Sequence, residues 1–285
     1  MANIFETYNK NKDYLICVDS DGCAIDSMDI KHFNCFGPCM VDEWDLQKYK
    51  DDILARWNVM NLYSLTRGIN RFKGLEKALT EINSKYVAIE DLESLSSWVN
   101  NTNELSNDSL KREIKLHPES VSLKKALSWS NAVNANITKL PIESKRPYEG
   151  VLEALIKAHE YADIAIVSSA NKAAVLEEWE YYGLINHVDI VLAQDAGTKA
   201  YCIQELVKKG YDKENVLMCG DALGDLKAAE SNGVFYYPIK VKREKESWKE
   251  FIDVALDKLL TGNYKGEYQE NKAKEFLENL NNSGK

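Results

Sequence analysis

Short apolar runs alternate with amphipathic segments along residues 150–237, and this alternation constrains the fold more than any other feature. The runs have the length and the branched or aromatic composition of buried strands. They are Ile164–Val167, Val188–Leu192, Val216–Cys219 and Val234–Tyr237, and an earlier run, Tyr14–Val18, matches them. The helical segments are Gly150–Glu160, Ala173–Tyr182, Lys199–Lys209 and Leu226–Ser231. Strand and helix in alternation predict an α/β fold with a doubly wound parallel sheet.

The chain between Asp29 and Lys145 has a different pattern, because it is rich in helical periodicity and contains no convincing pair of strands. Its candidate helices are Val41–Val59, Gly74–Ser84, Asp91–Val99, Asp108–Ile114 and Ser120–Asn134. We therefore predict two domains. A discontinuous core comprises residues 1–28 and 146–285, and an all-helical domain of residues 29–145 is inserted into it. The charged end of the chain, from Lys242 onward, is also predicted to be helical.

Composition limits the partners of such a protein. The chain has 285 residues, 45% of them hydrophobic, and a formal net charge of -9. The acidic excess argues against nucleic acid and anionic membranes as partners. No segment offers the roughly 20 apolar residues of a membrane span, and the N-terminus lacks the apolar core of a signal peptide. We expect a cytoplasmic protein.

Cysteine usage fits that expectation, since in a long chain without an export signal the six cysteines should be free thiols. His32, Cys35 and Cys39 lie close together in sequence and raise the question of zinc. They include no paired C-x-x-C motif and have no clear fourth ligand, so buried or loop thiols are the better interpretation.

Two carboxylates, Asp19 and Asp21, follow the first predicted strand in the motif Asp-Ser-Asp-Gly. Ligands of open parallel sheets bind beyond the carboxyl ends of the strands, so a site is expected there. Neighbouring carboxylates repel unless a cation or a proton lies between them, and Mg²⁺ prefers such oxygen ligands. Alone, the motif could equally be an acidic turn closed by Gly22.

A second pair of carboxylates, Asp221 and Asp225, follows the strand Val216–Cys219. At a spacing of four residues, the two share a face if this segment is helical. Asp225 could instead serve only as a helix cap. Two strand ends that each carry paired carboxylates are harder to explain by turn or cap preferences, and together they could form an oxygen cage for Mg²⁺.

Two further segments could bind phosphate. Ser168 and Ser169 follow the strand Ile164–Val167 in the motif Ser-Ser-Ala-Asn, where a hydroxyl and free backbone N–H groups at a helix start suit an anion. Lys199 begins a predicted helix and could neutralise a phosphate oxygen. Each has a plainer alternative, a Ser or Asn helix cap in the first case and a solvated lysine in the second.

Taken in order, Asp-Ser-Asp-Gly, Ser-Ser-Ala-Asn, Lys199 and Gly-Asp-Ala-Leu-Gly-Asp resemble the haloacid dehalogenase superfamily of phosphatases and phosphotransferases. The resemblance covers residues 12–27 and 146–240, and the segment Pro147–Val151 before the second strand supports it. It implies a Rossmann-like core, with the helical insertion as a cap. Two details depart from the family pattern: Ala200 follows Lys199 where relatives often have proline, and two serines stand at the phosphate-binding position.

The resemblance also implies residue roles. Asp19 matches the nucleophile that forms an aspartyl-phosphate, and Asp21 the general acid and base. Ser168, with Ser169 as the alternative, and Lys199 match the phosphate-binding residues. Asp19, Asp221 and the Asp21 backbone carbonyl match the Mg²⁺ ligands, and Asp225 orients the ligands from outside them.

The carboxylate of Asp21 separates the reactions known in that superfamily. Branches that cleave carbon–halogen or carbon–phosphorus bonds lack it, so Asp21 favours oxygen leaving groups. We therefore expect a Mg²⁺-dependent phosphatase that acts on a small phosphorylated metabolite. A phosphomutase with the same nucleophile and a non-catalytic sensor of phosphorylated metabolites remain alternatives.

Substrate identity should depend on the insertion. The polar segment Ser64–Gly74 contains three cations and could bring Arg67 or Arg71 to an anionic group of the substrate. A solvated loop between two helices is an equally good interpretation.

Overall fold

Five parallel strands form the centre of the first of two units in this computed structural model, which describes residues 4–284. In chain order these strands are β1 (Tyr14–Val18), β4 (Ala162–Val167), β5 (Ile190–Leu192), β6 (Val216–Gly220) and β7 (Phe235–Pro238). Their order across the sheet is β5-β4-β1-β6-β7, so β1 lies in the middle. All five predicted strands are confirmed, with bounds that differ by at most two residues at either end.

Helices follow or precede these strands as the alternation predicts. They are α9 (Val151–His159), α10 (Lys172–Tyr181), α11 (Lys199–Val207) and α12 (Leu223–Asn232). Asn171 and Thr198 cap α10 and α11 through their side-chain oxygens, and Gly233, with φ 68°, ends α12 in the left-handed conformation. The doubly wound α/β prediction is therefore confirmed.

A second, very small sheet pairs β2 (Ile25–Asp26) with β3 (Arg146–Pro147) in antiparallel fashion. Ile25 lies opposite Pro147, and Asp26 lies opposite Arg146. This sheet is not predictable from the sequence, because each strand is only two residues long and carries no alternation. It joins the chain segment that follows β1 to the segment that precedes α9.

The second unit consists of Met28–Pro141. Its helices are α2 (Met28–Lys31), α3 (Gly37–Glu43), α4 (Lys50–Leu62), α5 (Arg71–Lys85), α6 (Leu92–Asn101), α7 (Asn107–Leu116) and α8 (Val121–Ile137), with a π-helical turn over His32–Phe36. No strand occurs within residues 28–141, all of which the structure describes. Buried aromatic rings, including Trp57, Phe72 and Trp129, form its core.

The prediction of one helix over Val41–Val59 is wrong. Helix α3 ends at Glu43, and α4 begins only at Lys50. Between them Asp45 adopts a φ of 55°, which no α-helix contains, and a short 3-10 turn follows. Apolar spacing hid this break, because Trp44 and Leu46 on either side of Asp45 are both buried.

The chain from Ile142 onward belongs to the sheet unit. Its charged end forms α13 (Glu244–Glu250), a π-helical segment (Phe251–Ala255), α14 (Leu256–Leu260) and α15 (Glu267–Asn282). These elements pack on the sheet, since the Tyr264 hydroxyl donates to the Tyr236 carbonyl oxygen at 2.7 Å and the Phe276 ring meets the Tyr236 ring. The first described helix is α1 (Ile4–Thr7).

All six cysteines lie within the described residues and are buried free thiols, as predicted. His32 and Cys39 have hydrogen-bond partners inside the helical unit: Trp57 Nε1 donates to His32 Nδ1 at 3.0 Å, and Asn136 Nδ2 donates to Cys39 Sγ at 3.2 Å. Among the helices at positions 4–284, none has the length and apolar character needed to cross a membrane.

Candidate active site

The central strand β1 delivers Asp19 to the carboxyl edge of the sheet. Its backbone N–H donates to the Cys219 carbonyl oxygen at 3.0 Å, which extends the β1–β6 ladder by one residue. The Asp19 side chain is buried, and its Oδ1 accepts from the Ser20 N–H at 2.8 Å. Gly22 then turns the chain with a φ of 81°, where a side chain would be strained. Asp19 is thus held rigidly at a strand end.

Lys199, the first residue of α11, points its ammonium group at two carboxylates. Its Nζ lies 2.7 Å from Asp19 Oδ2 and 2.5 Å from Asp225 Oδ1. All three side chains are largely or fully buried, so these ion pairs are poorly screened by solvent. The solvated-lysine alternative for Lys199 is therefore wrong.

Asp225 has a second contact that fixes its orientation. Its Oδ2 accepts from the Ala222 N–H at 3.1 Å, so it does cap the start of α12 while its other oxygen binds Lys199. Gly220 lies beneath this carboxylate, and a Cβ at that position would collide with Asp225 Cβ and Cγ. The first glycine of the motif Gly-Asp-Ala-Leu-Gly-Asp, Gly220, therefore leaves the space that the Asp225 side chain occupies.

Asp221 completes a group of carboxylates with Asp19 and Asp225. One oxygen from each of these three buried residues lies within 4.8 Å of the others. Three negative charges thus face one ammonium group, and the remaining negative charge suits a hard divalent cation. Oxygen donors of this kind are the ligands that Mg²⁺ prefers. The residues therefore fit the expected ion.

The group differs in one respect from the predicted set of ligands. It contains Asp19 and Asp221 as expected, together with Asp225, which the resemblance places outside the ligands. The Asp21 carboxylate is not among the three.

Burial dominates the protonation of this group. It raises the pKa of Asp19 to about 6, although the Lys199 ammonium opposes the shift, and the negative charges of Asp225 and Asp21 add to it. Burial alone would lower the pKa of Lys199, but the two carboxylates outweigh it and the pKa is raised. Lys199 therefore stays charged.

Asp21 is not one of the three clustered carboxylates, and it is only partly buried. Its Oδ1 accepts a hydrogen bond from the Ser27 hydroxyl at 2.6 Å. An orienting hydroxyl and partial exposure are what a side chain needs if it is to exchange protons with substrate and water. The prediction did not include Ser27, because six residues separate it from Asp21 in sequence.

The two serines after β4 differ sharply in environment. Ser168 is 3% exposed, and its N–H donates to the Leu192 carbonyl oxygen while its Oγ accepts from the Ala170 N–H at 3.2 Å. Ser169 is exposed. Asn171 caps α10, as the plainer alternative proposed. Of the two hydroxyls, that of Ser168 is the one held in a defined position at the strand end.

Arg67 and Arg71 lie in the helical unit, where both guanidinium groups have partners. Arg67 is 2% exposed and donates to the Leu62 carbonyl oxygen at 2.8 Å. Arg71 donates to Asn134 Oδ1 at 2.7 Å and lies over the Phe36 ring. The solvated-loop interpretation is wrong for Arg67. Binding of substrate by either residue stays a prediction.

Two tryptophans that bind the turn after β1 were not predicted from the sequence. Trp179 Nε1 donates to Ser20 Oγ at 2.9 Å, and Trp248 Nε1 donates to the Cys23 carbonyl oxygen at 3.0 Å. The serine between the two aspartates was the available signal, because alternation along the strand turns it away from them. Its tryptophan partner lies 159 positions away, so sequence spacing alone could not identify it.

A family model of haloacid dehalogenase-like hydrolases matches residues 69–239, more than half of the chain. The protein therefore belongs to the haloacid dehalogenase-like hydrolases, which confirms the resemblance. The matched span includes Ser168, Lys199, Asp221 and Asp225. It begins after Asp19, which the structure places beside Lys199, Asp221 and Asp225.

Two solved structures to which the chain is similar are as follows. One is described as a predicted phosphoglycolate phosphatase from Haemophilus somnus, 15% identical, with 85% of this chain and 97% of that chain covered and a TM-score of 0.49. Another is a haloacid dehalogenase-like family hydrolase from Xanthomonas campestris, 11% identical, with 90% and 99% covered and a TM-score of 0.49. A comparison with curated proteins gives no match.

Proposed function

We propose that this hydrolase is a Mg²⁺-dependent phosphatase that acts on a small phosphorylated metabolite through an aspartyl-phosphate on Asp19. The observation that carries the proposal is the Lys199 ammonium held between Asp19 and Asp225 beside Asp221. The ammonium group places a positive charge beside the buried Asp19 carboxylate, which reduces the repulsion between that carboxylate and an approaching anionic phosphate.

In the first step an Asp19 carboxylate oxygen forms a bond to phosphorus while the bond from phosphorus to the ester oxygen breaks. Asp21 gives its proton to that leaving oxygen, which departs as an alcohol. In the second step Asp21 takes a proton from water, whose oxygen attacks the acyl-phosphate and releases phosphate and free Asp19. The Ser27 hydrogen bond keeps Asp21 oriented through both steps.

Around the phosphate, Lys199 and the Ser168 hydroxyl supply positive charge and a hydrogen bond. Asp19, Asp221 and the Asp21 backbone carbonyl would hold Mg²⁺, with Asp225 beside them bonded to Lys199. Bound there, the ion would neutralise phosphate oxygens and reduce the repulsion among the carboxylates. The resemblance supports this assignment, and the three clustered carboxylates fit it.

The helical unit Met28–Pro141 serves in this proposal as the cap, which excludes water and selects the substrate. Arg67 and Arg71 are its candidate contacts with a substrate anion. The substrate is a small molecule, and neither nucleic acid nor a membrane takes part. A cytoplasmic location agrees with the composition and the free thiols.

A phosphate-release screen over phosphorylated metabolites tests the proposal, run with Mg²⁺ and with EDTA. We expect release from some substrates with Mg²⁺ only, and none from the Asp19→Asn variant. An isomerised product without release would indicate a phosphomutase. Binding without turnover would indicate a sensor. Turnover by pure Asp19→Asn protein would rule out the nucleophile.

A further inference from the structure

Ser20 stands between the proposed nucleophile and the proposed general acid, and its backbone organises both. Its carbonyl oxygen accepts from the N–H groups of Cys23, Ala24 and Ile25 at 3.3, 3.0 and 2.9 Å. The turn after β1 therefore closes on this one carbonyl group. Any displacement of Ser20 moves the backbone that carries Asp19 on one side and Asp21 on the other.

The Ser20 side chain is fully buried, and the indole N–H of Trp179 donates to its hydroxyl oxygen at 2.9 Å. Trp179 is itself 0% exposed and lies on α10, whose first turn follows the Ser168 segment. One helix thus begins shortly after the predicted phosphate-binding residue Ser168 and, two turns later, binds the residue between Asp19 and Asp21.

The C-terminal part of the same helix makes further contacts. Glu178 forms a buried ion pair with Lys145, whose Nζ lies 3.3 Å from Glu178 Oε1, and Tyr182 donates to the Ile142 carbonyl oxygen at 3.1 Å. These contacts fix α10 to the segment that leads into β3. Trp179 therefore donates from a support that is itself held in place.

We propose that Trp179 is a positioning residue for the reaction, acting through its hydrogen bond to Ser20 to hold Asp19 and Asp21 in register with Lys199 and Ser168. This inference rests on the proposed function. It requires that loss of the hydrogen bond impair chemistry more than it impairs folding, because a displacement of about 1 Å can cost about a hundredfold in rate.

The test compares Trp179→Phe, Ser20→Ala and the double variant. Each single variant should lower kcat about tenfold or more with little change in KM. The double variant should be no slower than the slower single one, because both remove the same bond.

The helical unit offers matched controls, since Trp98 Nε1 donates to Ser109 Oγ at 3.4 Å and both residues are buried. Trp98→Phe and Ser109→Ala should lower the thermal midpoint about as much as the test variants do, with kcat unchanged. Multiplicative kcat losses in the double variant, or equal kcat losses in the controls, would overturn the inference. If Trp179→Phe fails to fold, the kinetics of Ser20→Ala alone test the inference. A lower kcat with little change in KM would support it, and an unchanged kcat would contradict it.

A second measurement separates this inference from the proposed function. Mg²⁺ affinity, measured by calorimetry without substrate, should weaken at least fivefold in Ser20→Ala and Trp179→Phe and stay unchanged in both controls. If no substrate releases phosphate but this pattern holds, the phosphatase assignment falls and the positioning role stands. If the wild-type protein binds no Mg²⁺ and releases no phosphate, or if Mg²⁺ affinity and kcat are unchanged in the variants, the inference is wrong.

Discussion

Lys199 Nζ lies 2.5 Å from Asp225 Oδ1, and the same nitrogen lies 2.7 Å from Asp19 Oδ2. One ammonium group therefore joins the residue after β1 to the first turn of α12. Because the three side chains are buried, this contact is part of the folded structure as well as of the proposed chemistry.

Replacing Lys199 should lower both the stability of the fold and the rate of the proposed reaction. Lys199→Met leaves the three carboxylates uncompensated, and we expect a loss of about 3–5 kcal/mol in the unfolding free energy of the metal-free protein at neutral pH. Phosphate release should fall about a hundredfold or more. Denaturant unfolding and turnover measure the two effects. Lys208→Met is the control, since Lys208 pairs with Glu205 at the surface; a similar loss in that variant would contradict the prediction.

The raised pKa of Asp19 predicts a pH-dependent stability. In the metal-free protein the folded state holds this proton up to about pH 6, whereas the ordinary value is 3.8. The stabilisation from the bound proton is complete below the ordinary pKa and is lost as pH rises through about 6. We expect the unfolding free energy in EDTA to fall over that window.

In Asp19→Asn the unfolding free energy should change less steeply with pH. Part of the pH dependence should persist, because the pKa of Asp225 is raised as well. Mg²⁺ should also reduce it, since a cation favours the ionised carboxylates. Chemical denaturation at several pH values gives the slope. Identical slopes in the variant and the wild-type protein would show that Asp19 does not cause the effect.

The neighbouring serines provide a direct comparison. Ser168→Ala removes the buried hydroxyl and should lower kcat/KM about 10–100-fold, the effect of losing one hydrogen bond to a charged group. Ser169→Ala removes an exposed hydroxyl and should change kcat/KM less than threefold. Steady-state kinetics with one substrate decide between the residues, and a larger effect in Ser169→Ala would reverse the assignment.

Gly220 and Gly224 should respond oppositely to alanine. A Cβ at Gly220 collides with the Asp225 side chain, so Gly220→Ala should displace that carboxylate from Lys199 and cost about 1–3 kcal/mol together with most of the turnover. At Gly224, in α12, nothing lies within 4 Å of the added methyl group. Gly224→Ala should stabilise by up to about 1 kcal/mol, as measured by thermal unfolding.

Short apolar runs were enough to predict every strand of the parallel sheet, because strands buried on both faces must be apolar throughout. The carboxyl-edge rule likewise placed Asp19, Asp221 and Ser168 at strand ends. The β2–β3 pair and the break at Asp45 were not predictable in this way. Two-residue strands lack a period, and a single left-handed residue between buried neighbours leaves the apolar pattern intact.

Contacts between distant segments limited what sequence reasoning could say of the candidate site. Lys199 was predicted as a phosphate-binding residue, but its bond to Asp225 depends on how α11 and α12 lie together. The Trp179–Ser20 bond and the Lys145–Glu178 ion pair join residues far apart in the chain. Such residues often lie in a hydrophobic core or on a solvated surface without pairing in this way. The three-dimensional structure is therefore needed to identify these pairs.

The pairing of Ile25 with Pro147 and of Asp26 with Arg146 has a consequence for how this chain reaches its folded state. Two segments more than a hundred positions apart must meet, and a long disordered loop makes such an encounter entropically costly. If the intervening helices fold first, they tether the two segments at close range and remove most of that cost. In that case β2 and β3 can pair at little further entropic cost, and the pair then ties the segment after β1 to the segment before α9.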